Sequence, residues 1–302
     1  MRSGFIAIDK PEGYTSFDVV AILRKVFNTK KIGHTGTLDP MATGVLLVCV
    51  NKATKAVSVL PEAFKQYETT LRLGITTDTE DITGTITKEM PFSCDDETIR
   101  KAVNKFIGDI TQIPPMYSAK KINGKKLYDL AREGITVERK PVNLHIENIE
   151  VISIDLPDVT LRITCQKGTY IRTLCKDIGE ELGSCACMTK LRRTETDSFN
   201  ESDLVSLSDL RGMDTDEAYS YLRPLDELFY MYQAICTTQD GDFFMNNGNR
   251  LNDTDIDFDK TDIKVRNSSE NEIFRVYDSS HSFKALYIKS GMEYKAFKMF
   301  LD

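Results

Sequence analysis

No stretch of the 302-residue chain is apolar for long enough to span a bilayer. The longest strongly apolar run, Val45 to Val50, is far below the roughly 18 residues a membrane helix requires. Asp9 and Lys10 interrupt the first apolar stretch, Phe5 to Ile8, so no secretory segment is predicted and the chain is expected in the cytosol. Histidine is scarce. His34, His145 and His281 are far apart in sequence, and the seven cysteines form no paired CxxC units, Cys175, Cys185 and Cys187 included. These absences argue against a metal site and a disulfide framework, so reduced core thiols and no metal are expected. The GxxxxGK[ST] pattern of a phosphate-cradling loop is missing too, as are internal repeats and low-complexity segments.

Hydrophobic residues make up 41% and charged residues 28%, the balance of an ordinary globular protein. At roughly 100–200 residues per domain, the length predicts two domains. The net charge of −7 is unevenly spread, because residues 201–302 carry 11 Lys+Arg against 20 Asp+Glu. Asp214, Asp216, Glu217, Asp253, Asp255, Asp257 and Asp259 crowd this last third, whereas Lys120, Lys121, Lys125 and Lys126 form a basic cluster earlier. A polyanion is therefore expected to approach the first two thirds, a plain solvated face being the alternative.

Phe5 to Ile8 reads as a strand, and Ser16 as the cap of a helix whose apolar residues Val19, Ile22, Leu23, Val26 and Phe27 recur at helical spacing. Tyr67, Thr69, Leu71 and Leu73 alternate onto one face of a strand. Helices are predicted from Ser93 through Phe106, from Lys125 to Arg132 before Gly134, and from Tyr170 to Leu182 before Gly183. Val142 to Ile154 and Val159 to Cys165 are strand-like. Strands and helices interleave without a βαβ period, so an α+β fold with a mixed, largely antiparallel sheet is expected. A boundary near residue 230 would separate residues 1–230 from a small β-rich unit, 231–302.

The densest local signal is Gly33-His34-Thr35-Gly36-Thr37-Leu38-Asp39-Pro40-Met41-Ala42-Thr43-Gly44. Its glycines permit close backbone approach, and an Asp before Pro is held out of the helical region, which presents its carboxylate from a loop. A plain turn is the alternative. This stretch, with Lys10-Pro11-Glu12-Gly13-Tyr14-Thr15-Ser16 before it, resembles the bacterial tRNA pseudouridine synthase B (TruB) family. So do Tyr67 to Gly74 with Thr77 to Gly84, Gln112 to Ala119, Lys167-Gly168-Thr169-Tyr170-Ile171-Arg172, and Leu191-Arg192-Arg193-Thr194, all in order. One departure is Asp197 near Phe199, where the family usually has Gly.

The resemblance implies a pseudouridine synthase fold with a C-terminal module like the RNA-binding PUA domain. It also implies isomerisation, by base flipping, of the T-loop uridine conventionally numbered 55, from an N1 to a C5 glycosidic bond. Asp39 would be the catalytic carboxylate, attacking C1′ or taking the C2′ proton, and at its ordinary pKa of about 3.9 it is ionised at neutral pH. Arg172 would hold that carboxylate by a bidentate contact, a surface ion pair being its alternative. Tyr67 would stack on the base, though core packing is the commoner role of a strand aromatic. Tyr170 is a base contact or a packing partner. His34 would fill the space left by extruded bases. Asp81, Leu191 and Lys10 are placed near the RNA, and an insertion from Gln112 to about Leu144 with the four lysines would clamp the loop. No cofactor is expected; the partner is the T-arm of tRNA, acted on by a monomer. Two other readings are carried: a tRNA folding helper acting without catalysis, and a glycosidase pairing Asp39 with Asp81.

Overall fold

The computed structural model describes residues 2–61, 63–118, 120–122, 124–197, 199–262 and 268–301. The side chains of Lys121 and Lys126 lie outside that description, as does Ala119. Among the described residues one mixed sheet dominates. From edge to edge its strands are Val205–Ser206, Gly4–Lys10, Thr43–Val50, Ala186–Thr196, Phe64–Leu73, Asp158–Gln166, Val142–Asp155 and Gly108–Gln112. Most pairings are antiparallel; Thr43–Val50 beside Ala186–Thr196 and Gly4–Lys10 beside Val205–Ser206 are parallel.

The strand Thr43–Val50 reads as a continuous apolar run because both faces are covered. Leu46, Val48 and Val50 enter the main core with Val19, Leu23, Leu71 and Ile178. Val45, Leu47 and Cys49 face the other way, against Phe229, Leu286 and Phe300. Phe64–Leu73 shows the opposite pattern, with Lys65, Tyr67, Thr69, Leu71 and Leu73 buried in alternation.

Helix Ser16–Val26 is capped by Thr15, whose side chain accepts from the Asp18 amide while the Asp18 carboxylate accepts from the Thr15 amide. The sequence pointed to Ser16 as cap. Its hydroxyl is used elsewhere, accepting from the Leu38 amide at 2.8 Å and tying the helix to the Asp39 loop. The second helix, Asp96–Asn104, starts after Ser93 because Asp95 accepts from the Thr98 amide. Past Gly168, helix Ile171–Glu181 lies along the strand Ala186–Thr196.

Strands Gln233–Cys236, Ile273–Tyr277, Phe283–Ser290 and Glu293–Met299 form a separate sheet with its own core of Ile235, Met245, Phe274, Tyr287 and Tyr294. This sheet is docked firmly. Leu286 and Phe300 share a core with Phe5, Ala7 and Phe229, and the Tyr277 hydroxyl donates to Asp226 at 2.7 Å.

Candidate active site

Asp39 stands on the loop between strands Ile32–His34 and Thr43–Val50. That loop is anchored from below by Lys10, whose ammonium donates to the carbonyls of Tyr14 at 2.6 Å, Pro11 at 2.9 Å and Pro40 at 3.2 Å. Lys10 is fully buried, and desolvation pushes its ammonium down to about 8. The expectation that Lys10 meets RNA is therefore corrected: its donors are consumed by backbone carbonyls beneath the loop.

Arg172, in the first turn of Ile171–Glu181, is almost wholly buried and unites three segments. Its Nε lies 3.0 Å from Asp39 Oδ2 and its Nη2 3.4 Å from Oδ1, a bidentate grip. The same guanidinium donates to the Tyr117 carbonyl at 2.7 Å and the Thr79 carbonyl at 2.9 Å, and reaches Asp81 Oδ2 at 3.5 Å. Asp81 is fixed in turn by the Thr83 amide and by the hydroxyls of Thr79 and Thr83. A surface ion pair is thus excluded for Arg172. Asp81 is spent on Arg172 and two threonines, which leaves the two-carboxylate glycosidase without a free acid.

Asp39 keeps 35% of its side-chain surface open. That opening faces a narrow cleft, so protein atoms still surround the carboxyl. Burial raises its pKa above the ordinary value, the nearby Asp81 adds to this, and Arg172 opposes it. The cleft encloses about 250 Å³ and is lined by Asp39, Tyr67, Tyr170, Arg172 and Leu191, with Lys120 exposed at its edge. Larger depressions, about 450 Å³ around His145 and about 730 Å³ beside Val26, hold no such grouping.

Tyr67 is buried, and desolvation pushes its phenol above the usual range. Tyr170 is held by Gln112, whose side-chain oxygen accepts from the Tyr170 amide at 3.0 Å and whose amide nitrogen donates to the Tyr170 carbonyl at 3.2 Å. His34 lies outside the cavity lining, half-buried, with Nδ1 lacking a partner and its pKa lowered by burial and then by Arg193. Lys125 is exposed on the hairpin Lys121–Ile122 with Lys125–Lys126; the side chains of Lys121 and Lys126 fall outside the described residues. Asp197, where the resemblance expects Gly, takes the left-handed conformation that glycine favours, φ 51°, and its carboxylate accepts from the Thr196 hydroxyl at 3.0 Å. Sequence reasoning left Lys65, Ser118 and Lys167 of the lining without a role, and Arg193 too, though Ser118, Lys167 and Arg193 all stood inside quoted motifs.

Residues 24–171 match the sequence model of the TruB family pseudouridylate synthase N-terminal domain, and residues 172–229 that of the tRNA pseudouridylate synthase B C-terminal domain. Named tRNA pseudouridine synthase B are a Clostridium kluyveri protein, 38% identical over 99% of both chains, and a Clostridium novyi protein, 40% identical over 99% of this chain and 100% of its own. The chain belongs to the TruB family. As a TruB chain it is a tRNA pseudouridine synthase, an isomerase of uridine to pseudouridine. The fold agrees: the solved structure of a Cbf5–Nop10–Gar1 complex contains a chain of TM-score 0.73 and 25% identity, aligned over 99% of this chain and 85% of that one.

Proposed function

We propose that this chain isomerises the T-loop uridine of tRNA, position 55, with Asp39 as the reacting carboxylate. The observation that carries the reading is the bidentate hold of Arg172 on Asp39 at the wall of a cavity of about 250 Å³. Such a volume is below the roughly 300–1,000 Å³ of pockets for drug-sized ligands and suits one extruded nucleoside. Tyr67 and Leu191 line it as apolar surfaces for a flat base, and Tyr170 stands beside Arg172.

The chemistry follows from the groups present. Arg172 fixes the direction of the Asp39 oxygens and favours their ionised form, so the carboxylate meets the sugar without a separate base to activate it. Tyr67 covers the base from the cavity wall. Lys120, Lys125 and their neighbours on the segment from Gln112 to about Leu144 supply phosphate contacts, while the extruded bases supply recognition. His34 fills space vacated in the loop. The unit 231–302 serves as an auxiliary RNA-binding module, and the enzyme acts as a cytosolic monomer that needs only the T-arm. The test is incubation with an unmodified tRNA transcript and with an isolated T-arm hairpin, then chemical probing for pseudouridine at single-nucleotide resolution. Conversion at the T-loop uridine of both is expected; conversion elsewhere, or none, refutes the assignment.

A further inference from the structure

Two buried cations beside the Asp39 loop have no part in the Arg172 network. Lys65 and Tyr67 lie two residues apart on one strand and so share a face. Arg193 is the residue directly across from Tyr67 on the neighbouring strand. Lys65 is 6% exposed and Arg193 1%. Arg193 donates from Nε to the Val45 carbonyl at 2.7 Å and from Nη2 to the Gly36 carbonyl at 3.3 Å, but its buried Nη1 has no partner. Asp197 is the one carboxylate among the charges felt by Lys65, and neither Lys65 nor Arg193 has a carboxylate within ion-pair distance among the described residues. The two tips converge on one place: a Cβ on Gly36 would stand 2.6 Å from Lys65 Nζ and 3.4 Å from Arg193 Nη1. Lys65 and Gly36 both line the cavity of Asp39 and Tyr67.

Burying a cation without a contacting carboxylate is unfavourable, and that cost is offset when a ligand brings the negative charge. We propose that Lys65, backed by Arg193, stabilises the uracil anion while it is detached from the sugar. The inference rests on the reading of Asp39 given above. When the C1′–N1 bond breaks, its electron pair leaves with the base and spreads from N1 over O2 and O4. The sugar is satisfied either by a new bond from an Asp39 oxygen to C1′ or by loss of the C2′ proton to Asp39, and both routes release the same anion. After rotation, C5 bonds to C1′, the Asp39 step reverses, C5 loses its proton and N1 gains one, so composition is unchanged. A group that stabilises charge only while the base is free accelerates the chemical step without tightening substrate binding.

The test uses the full chain and full-length tRNA, with Lys65→Met and Lys65→Arg measured by single-turnover rate, Kd and salt dependence. Lys65→Met keeps the stem and removes a buried charge, so folding is retained. The saturated rate should fall about 10²–10³-fold, the scale seen for loss of one charge-stabilising donor, with Kd within about three-fold. A pH profile adds a readout that a packing role would not move. Facing the Lys65 ammonium are Arg193 and Asp197, Lys167 and Cys165, and His34. With burial they bring Lys65 to about 8, so kcat/KM should fall above that pH in the native enzyme, and Lys65→Arg should lose that limb. A normal saturated rate in Lys65→Met, with weaker Kd and a salt slope reduced by about one, would make Lys65 a phosphate anchor and overturn the proposal. An unchanged alkaline limb in Lys65→Arg would overturn it too. Asp39→Asn run in parallel separates the two readings: turnover by that variant sinks the Asp39 assignment, whereas its inactivity beside a fast Lys65→Met sinks only this inference.

Discussion

Replacing Arg172 with Lys tests the site at its most connected point. The guanidinium serves both Asp39 oxygens, Asp81 and the carbonyls of Thr79 and Tyr117. An ammonium offers three donors from a single point, so it cannot keep the bidentate grip and also serve the remaining acceptors. Two hydrogen bonds to charged groups disappear, at about 1.5–3 kcal/mol each. If half or more of that energy falls on the transition state, at 1.36 kcal/mol per tenfold, the saturated rate drops about 10–10⁴-fold. The pH profile gives an independent reading. Burial already holds the Asp39 carboxyl above its ordinary pKa, and Arg172 opposes that rise. Activity needs the ionised form, so native kcat/KM falls as pH drops through the raised pKa, and weakening Arg172 should move this acid limb to higher pH. Single-turnover conversion of a tRNA transcript across pH measures both effects. A rate within three-fold of native, with an unmoved acid limb, would falsify the role given to Arg172.

Asp39→Asn should abolish conversion while leaving tRNA Kd within a few fold, as filter binding and pseudouridine probing would report. The sign of its stability effect follows from linkage. A carboxyl whose folded pKa is raised favours the folded state below its unfolded pKa, and that advantage is lost as pH rises through the folded value; hence the amide variant should be no less stable at pH 7 in urea melts. Gly44→Ala should cost on the order of 3 kcal/mol in the same melts, because φ is +93° and a Cβ would meet the Arg193 carbonyl oxygen at 2.2 Å. Changing Lys120, Lys121, Lys125 and Lys126 to Ala together should lower the slope of log affinity against log salt by about 0.7–0.9 for each phosphate that is no longer neutralised; an unchanged slope on the T-arm hairpin would move the RNA surface elsewhere. A chain stopped after Phe229 lacks Phe283, Leu286 and Phe300 in the core around Phe5 and Phe229, so it should melt lower and aggregate more readily, detectable by light scattering.

The legible parts of this chain were those whose cause is local. The alternation through Tyr67, Leu71 and Leu73 gave a strand with one buried face, and the unbroken run Val45 to Val50 gave a strand covered on both. Asp39 before Pro40 announced a presented carboxylate, and Arg172 two residues after Tyr170 could be attached to it only through a resemblance of ordered motifs. What escaped depends on pairings across long sequence separations. Lys10 is expected at the RNA only because the resemblance carries it there, and nothing local reveals that Pro40, thirty residues on, turns its carbonyl toward that ammonium. Lys65 obeys the same alternation as Tyr67 and so faces inward, yet an inward lysine has no meaning until Arg193 is set opposite Tyr67 and Gly36 is laid over both. The seam behind the main sheet was hidden for a related reason. The acidic composition of the last third describes its solvent face, whereas its hold on the rest of the chain lies in Leu286 and Phe300 against Phe229. A boundary drawn at residue 230 separates two sheets but passes beside a core they share. The C-terminal sheet contributes to the Asp39 site by covering Val45, Leu47 and Cys49, the back of the strand that the Asp39 loop enters.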